Sequence, residues 1–262
     1  MAKHALRGVA LLYLVFLLLL PVAMVFQRTF AHGLGPVWGA LGQPNAVHAF
    51  EVTLLVALAA VAMNTVFGVL VAILVVRHQF PGKRLLNAFV DLPVAVSPVV
   101  VGLALILVYG RFEPLGRWLA AHGLNVIFSI PGMVLATVFV SLPLVCRAVA
   151  PVLEEVGVEQ EQAAWTLGAS PFQAFRRVTL PAIRWALLYG MVLTLARSLG
   201  EFGAVAVVSG RLVGKTQTLT LYVQERFNGF DVTGAYAAAF VLALVAILTL
   251  VAMNLFRPKE AT

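Results

Sequence analysis

The chain has 262 residues, of which 61% are hydrophobic and only 11% charged. Soluble domains carry about 25% charged residues and expose much polar surface, so this composition excludes a water-soluble globule. The net charge of +7 is spread over many short polar stretches and not gathered on one face. That distribution argues against nucleic acid as a partner and fits the basic bias of cytoplasmic loops. The apolar runs are about twenty residues long, enough to cross a ~30 Å hydrocarbon core as helices, and about twice the length of barrel strands. Lipid requires every backbone polar group to be paired internally. The expected fold class is therefore an all-α integral membrane bundle. The single Cys146 and five histidines offer no internal disulfide and no metal-ligand spacing.

In chain order, residues 1–8 are short and basic, and residues 9–26 form an apolar run. The run is longer than a signal-peptide core and lacks a clean small-x-small site, so it reads as an uncleaved first transmembrane helix. A Gly- and Pro-containing loop (27–49) precedes the second span, about 50–76. The basic turn 77–84 is punctuated by Pro81-Gly82. The third span, about 85–109, contains Asp91, Pro93 and Pro98, which predicts a kink or a broken helix. After a polar connection come the fourth span (131–149, with Pro143 inside), a polar helical segment (151–183), the fifth span (185–208), a polar loop (209–234) and the sixth span (235–256). With the N-terminus inside, eleven of the 18 Lys and Arg residues fall on the cytoplasmic side, Arg147 among them. Six fall outside, and Arg197 lies within a span. This bias predicts that both termini and the 151–183 segment are cytoplasmic.

Gly210-Arg211-Leu212-Val213-Gly214-Lys215-Thr216 imitates a phosphate-binding P-loop. It has three residues between its glycines where four are needed. It also follows a membrane helix where a strand is required. It is not read as a nucleotide site.

The 151–183 segment reads as a hairpin of two short helices. Glu154, Glu155, Glu159 and Glu161 crowd the first, where the helix dipole favours negative charge near the N-terminus. Gly168 is placed to end it. Ser170 and Pro171 suit the N-cap and first turn of the second, which carries Phe172, Phe175, Arg176 and Arg177 and is expected to end at Pro181. Helix–helix connections are usually two to eight residues, so a capped hairpin of about thirty suits docking to a partner better than a plain connection.

The hairpin resembles the EAA loop of bacterial ABC-importer permeases, whose pattern is Glu-Ala-Ala, three residues, Gly, nine residues, Ile-x-Leu-Pro. Here Gln162-Ala163-Ala164, Gly168 and Val178-Thr179-Leu180-Pro181 keep every spacing. Gln162 stands where the family has Glu, with Glu161 just before it, and Val178 replaces Ile. If docking uses that charge, Glu161 must supply it from a face about 100° away. Three further segments are similar to the sulfate/thiosulfate permeases, and to their W-type subunits in particular. They begin at Asp91-Leu92-Pro93, Phe175-Arg176-Arg177 and Ala196-Arg197-Ser198-Leu199-Gly200-Glu201-Phe202-Gly203. Molybdate and tungstate permeases share much of the Gly-Glu-Phe-Gly segment. The resemblance implies a six-span permease in the bacterial cytoplasmic membrane with a sister permease chain as partner. It also implies two cytoplasmic ATPases and an extracytoplasmic binding protein that delivers the oxyanion. No cofactor is expected on this chain, since ATP and Mg belong to the ATPase.

Asp91, Arg197 and Glu201 fall within apolar spans, where charges are costly and are paired or functional. Arg197 and Glu201 share a helix face. They read as a structural ion pair, with Asp91 as a possible third member, or as a lining of the anion path with Arg197 attracting the oxyanion. Because a neighbouring carboxylate cancels that attraction, the pair reading is favoured. Ala196, Gly200 and Ala204 recur at every fourth position and predict a close helix-packing face. Two other function classes fit the sequence less well. A secondary transporter needs broken helices and an ion site at the midplane, which Pro93 and Pro98 permit, but it leaves the hairpin without a role. An intramembrane enzyme lacks a catalytic constellation in the spans.

Overall fold

The computed structural model describes residues 2–31 and 33–256. Among them every regular element is a helix. Five helices are long and apolar enough to cross a membrane, and a bent pair makes a sixth if counted as one span.

The first apolar stretch, Leu6–Phe30, comprises α1 (Ala2–Leu14), a π turn (Val15–Leu19) and α2 (Leu20–Phe30). The π turn precedes Pro21 by design of geometry. Proline has no N–H to give to the carbonyl four residues back, and its ring would clash there. Shifting to an i→i−5 bond, Leu20 N–H to Val15 O, relieves the conflict without breaking the helix. This helix sits at the edge of the bundle. Its contacts there include Phe26 and Phe30 packed around Phe240 at 5.6 and 5.1 Å between ring centroids, and Thr29, whose hydroxyl donates to Tyr236 O.

The short α3 (Leu34–Leu41) leads into α4 (Pro44–Arg77), which at 34 residues is about 51 Å long and is the axis of the bundle. It pairs with α8 (Ile130–Val156). Small residues make this possible. A Cβ on Gly68 would lie 2.7 Å from Val145 Cβ, so the two backbones approach as closely as a glycine allows. Asn64, fully buried, ties the same interface by donating to Ser141 Oγ and Val138 O.

The predicted third span is broken. α5 (Lys83–Ala95) and α6 (Pro98–Tyr109) meet at 115°. Pro98 cannot donate to Val94 O, and the residue before a proline is driven to extended backbone, as Ser97 is at φ −59, ψ 133. The connection after α6 folds into α7 (Pro114–Ala121).

The hairpin begins later than expected. α8 continues to Val156, carrying Glu154 and Glu155, and Gly157 (φ 68) ends it. The hairpin's first helix is α9 (Glu159–Thr166), and Gly168 (φ 85) follows it. α10 (Pro171–Ala174) starts from a capping box in which Ser170 and Gln173 bond each other's backbone N–H. Pro181 does not end the second helix. A second π turn, Phe175–Thr179, stands before Leu180-Pro181 as the first stood before Leu20-Pro21, and α11 (Leu180–Leu199) carries straight on. The result is one helix over Pro171–Leu199.

The fifth span, expected to run to residue 208, breaks at Gly200. α12 (Gly203–Val208) starts after it and packs on α6. The expected small-residue face is interrupted with it: Ala196 lies in α11, Gly200 is its exposed C-cap, and the buried Ala204 belongs to α12. The loop between α12 and the last span contains α13 (Leu219–Asn228), pinned to α4 by Leu219 N–H donating to Thr53 Oγ1 at 2.7 Å. α14 (Val232–Phe256) closes the bundle. Residues 257–262, with Arg257 and Lys259 of the cytoplasmic count, lie outside the described residues.

Candidate functional site

Two polar assemblies stand out, one at the hairpin and one inside the bundle. At the hairpin, the positions of the spaced motif fall on both helices. Gln162 and Ala163 are exposed on α9, Ala164 is half-buried beside them, and Gly168 forms the exposed turn. Val178 and Leu180 are half-buried and Pro181 exposed, at and after the second π turn. Glu161 points the other way. Its Oε1 lies 3.2 Å from Arg77 Nη2 and accepts from Thr179 Oγ1 at 2.8 Å. Arg77 Nη1 donates to Leu153 O at 2.9 Å. The two side chains are 9% and 12% exposed. One buried ion pair therefore joins the end of α4, the end of α8, α9 and the π turn.

This latch changes the reading of Glu161. Its carboxylate is committed inward and offers no charge to a partner, so an outward contact at this position comes from Gln162, which is uncharged. The hairpin exposes apolar side chains, Leu167 at 88% above all, among polar ones that include Gln173, Arg176 and Arg177. Between the hairpin and α4 an open pocket of ≈ 820 Å³ is lined by Leu70, Ile73, Trp165 and Phe172, so the hairpin stands off the bundle and is held by the latch. Sequence reasoning missed Arg77 and Thr179. Arg77 looked like an ordinary basic stop, and nothing local links it to a residue 84 positions away.

Inside the bundle, Arg197 Nη1 lies 2.7 Å from Glu201 Oε2. Glu201 is 3% exposed and Arg197 39%. The other carboxylate oxygen accepts from Ala204 N–H at 2.9 Å, and the Glu201 carbonyl accepts from Thr220 Oγ1. Glu201 thus caps the start of α12, ties the helix break to α13 and neutralises Arg197 on one side. The rest of the guanidinium is open. Asp91 does not join this pair. It receives Arg147 Nε at 2.9 Å and Nη2 at 2.5 Å in a fork, so Arg147 is a helix residue of α8 and not a loop cation. A carboxylate on α5 faces α8 across a direct contact, while Arg197 sits in the last turn of α11, at the end away from the hairpin.

The imitation P-loop joins α12 to α13. The Thr216 hydroxyl, which would face a metal-bound phosphate in a true P-loop, donates to Ser209 O at 2.5 Å, and Thr216 N–H donates to Leu212 O. Its groups are used internally. Among the described residues no cluster of three or more His, Cys, Asp or Glu is placed to hold a metal.

A family model described as the binding-protein-dependent transport system inner membrane component matches residues 64–261. The chain belongs to this family. The inner-membrane transport component seen here is 49% identical over 257 residues to the sulfate transport system permease protein CysW of Synechocystis sp., covering 98% of this chain and 93% of the relative. It is 50% identical over 248 residues to CysW of Escherichia coli K12, covering 95% and 85%. Among solved structures, a chain of a bacterial ABC transporter involved in the import of alginate superposes with a TM-score of 0.80 at 16% identity, covering 100% of this chain and 96% of that one. At that identity the likeness is one of fold. It identifies the α4–α8–α11 bundle with its hairpin as the ABC-importer permease fold of this inner-membrane family.

Proposed function

We propose that this chain is the membrane-spanning permease subunit of an ATP-driven importer that carries sulfate and thiosulfate across the cytoplasmic membrane. The observation that carries this reading is identity near one half, over almost the whole chain, to two sulfate transport permeases. In this reading the chain catalyses no bond chemistry. A pair of cytoplasmic ATPases hydrolyses ATP, a sister permease completes the path, and an extracytoplasmic binding protein delivers the anion. Both termini and the hairpin face the cytoplasm, following the Lys/Arg bias.

The geometry gives the coupling a route. The ATPase grips the hairpin at the exposed Leu167 and at the exposed Gln162 and Ala163. Movement passes along two connections. One is the Arg77–Glu161 latch to α4. The other is the unbroken helix Pro171–Leu199, 29 residues or about 43 Å long, which ends beside Arg197 and the Gly200 break. Glu201 cancels much of the field of Arg197, so in this reading the pair holds the Gly200 break in place and is not an anion trap. Selectivity among oxyanions then rests with the binding protein.

The test is ATP-dependent uptake of labelled sulfate into vesicles holding the assembled complex, with molybdate as competitor. Sulfate uptake that needs ATP and the binding protein is expected. Uptake driven by an ion gradient without ATP would overturn the importer reading, and preferential uptake of molybdate would move the substrate to the molybdate/tungstate class.

A further inference from the structure

We propose that Arg147, held by Asp91, lines a water-filled cytoplasmic half of the anion path. This rests on the importer reading above. The fork between the two side chains is complete, yet it is open: Arg147 is 44% and Asp91 53% exposed. Arg147 lies nine positions before the end of α8, about 14 Å inside its cytoplasmic end, and Asp91 lies about 12 Å along α5 from Lys83. Both residues fall within the predicted spans, 131–149 and 85–109, where a charged pair facing hydrocarbon is costly, so something other than lipid covers it.

The pair does not stand alone. Arg84, Asn87 and Asp91 follow one another along α5 at spacings of three and four, one face of a helix. Arg84 and Asp91 are exposed and Asn87 half-buried. The stripe ends at the α5–α6 break, where Ser97 is exposed, its hydroxyl makes no cap bond, and Val94 O faces a proline that cannot donate to it. Open backbone of this kind is tolerated at membrane depth only inside protein or along a water-filled cavity. On the opposite side of α5, Leu85 and Phe89 are 61% and 57% exposed. One helix therefore shows an apolar face suited to lipid and a polar face suited to water, and the polar one reaches from the cytoplasmic turn to the bend. Among the described residues Arg147 Nη1 has no protein partner, which leaves a donor for a passing oxyanion while Asp91 keeps the attraction weak.

The experiment is cysteine accessibility in the assembled complex, in inside-out vesicles, with a membrane-impermeant anionic methanethiosulfonate reagent. The parent carries Cys146→Ala, which removes the one native thiol. Asn87→Cys and Arg147→Cys are expected to react at least about tenfold faster than the lipid-facing Phe89→Cys, because a charged reagent is excluded from hydrocarbon. Both rates should fall when the ATPases are trapped closed on ATP, a dependence that a purely structural ion pair would not produce. Where Arg147→Cys fails to assemble, Asn87→Cys, which lies outside the ion pair, decides the matter alone. Rates no faster than Phe89→Cys, as when a second permease packs dry over this face, overturn the proposal, and so do rates indifferent to nucleotide. Sulfate uptake by the parent is measured alongside. An active parent with unreactive cysteines refutes only this inference, whereas a parent without ATP-driven uptake refutes the importer reading.

Discussion

Substituting Glu161→Ala should release the hairpin from the bundle. Glu161 Oε1 meets Arg77 Nη2 at 3.2 Å and Thr179 Oγ1 at 2.8 Å, and both charged side chains are about nine-tenths buried. Arg77 Nε already has no partner, so removing the carboxylate leaves a buried guanidinium tied only to Leu153 O. Breaking one side of a buried pair costs about 3–5 kcal/mol. The strain falls on one contact between the hairpin and α4, so the loss is local opening and not global unfolding. At 1.36 kcal/mol per tenfold, protected amides of residues 159–179 should exchange with solvent about two to nearly four orders of magnitude faster, while those of α4 and α8 near Asn64 stay as they were. ATP-driven uptake should fall while the ATPases keep hydrolysing. Glu161→Gln keeps an acceptor for Thr179 and should do less. The double change Arg77→Met with Glu161→Leu should recover most of the protection, because an apolar pair leaves no stranded charge. Unchanged exchange in Glu161→Ala would refute the latch.

Three other outcomes follow. Arg197→Ala strands Glu201, 3% exposed, and should cost about 3–5 kcal/mol, lowering the yield of assembled complex in size-exclusion chromatography; normal assembly with loss of uptake alone would show that Arg197 serves the anion instead. Gly68→Ala places a methyl 2.7 Å from Val145 Cβ and should cost about 1–3 kcal/mol by overpacking, seen as a lower midpoint of thermal aggregation; an unchanged midpoint would mean that α4 and α8 are less closely packed. Gln162→Glu, at an exposed site, should change stability by less than about 0.5 kcal/mol and tighten capture of the ATPase subunits in pull-down; equal or weaker capture would show that docking is carried by the apolar surface around Leu167.

The amount legible in the sequence differs from element to element. Hydropathy alone located the apolar stretches, because a lipid solvent leaves a helix no other way to satisfy its backbone. Pro98 announced the break at Ser97, and Ser170-Pro171 announced a helix start, since both act through local sterics and caps. Pro181 misled for the same reason: its local rule predicts an end, and only an i→i−5 turn upstream, compatible with Phe175–Thr179, lets the helix pass. Gly200 ended α11 with no comparable signal, because Glu201 caps a new helix from a contact with Arg197.

The pairing of charges was least legible. The four-residue spacing of Arg197 and Glu201 is visible in the sequence because they belong to one helical stretch. Asp91 with Arg147, and Glu161 with Arg77, are 56 and 84 positions apart. The sequence by itself determined that this chain is a helical membrane protein with a spaced hairpin motif, because solvent, caps and spacing act over a few residues. Only the tertiary structure decided which way Glu161 points, which partner Asp91 takes and which side of α5 packs on α8. Those depend on where α4, α5 and α8 come to lie against each other, and no local rule contains that.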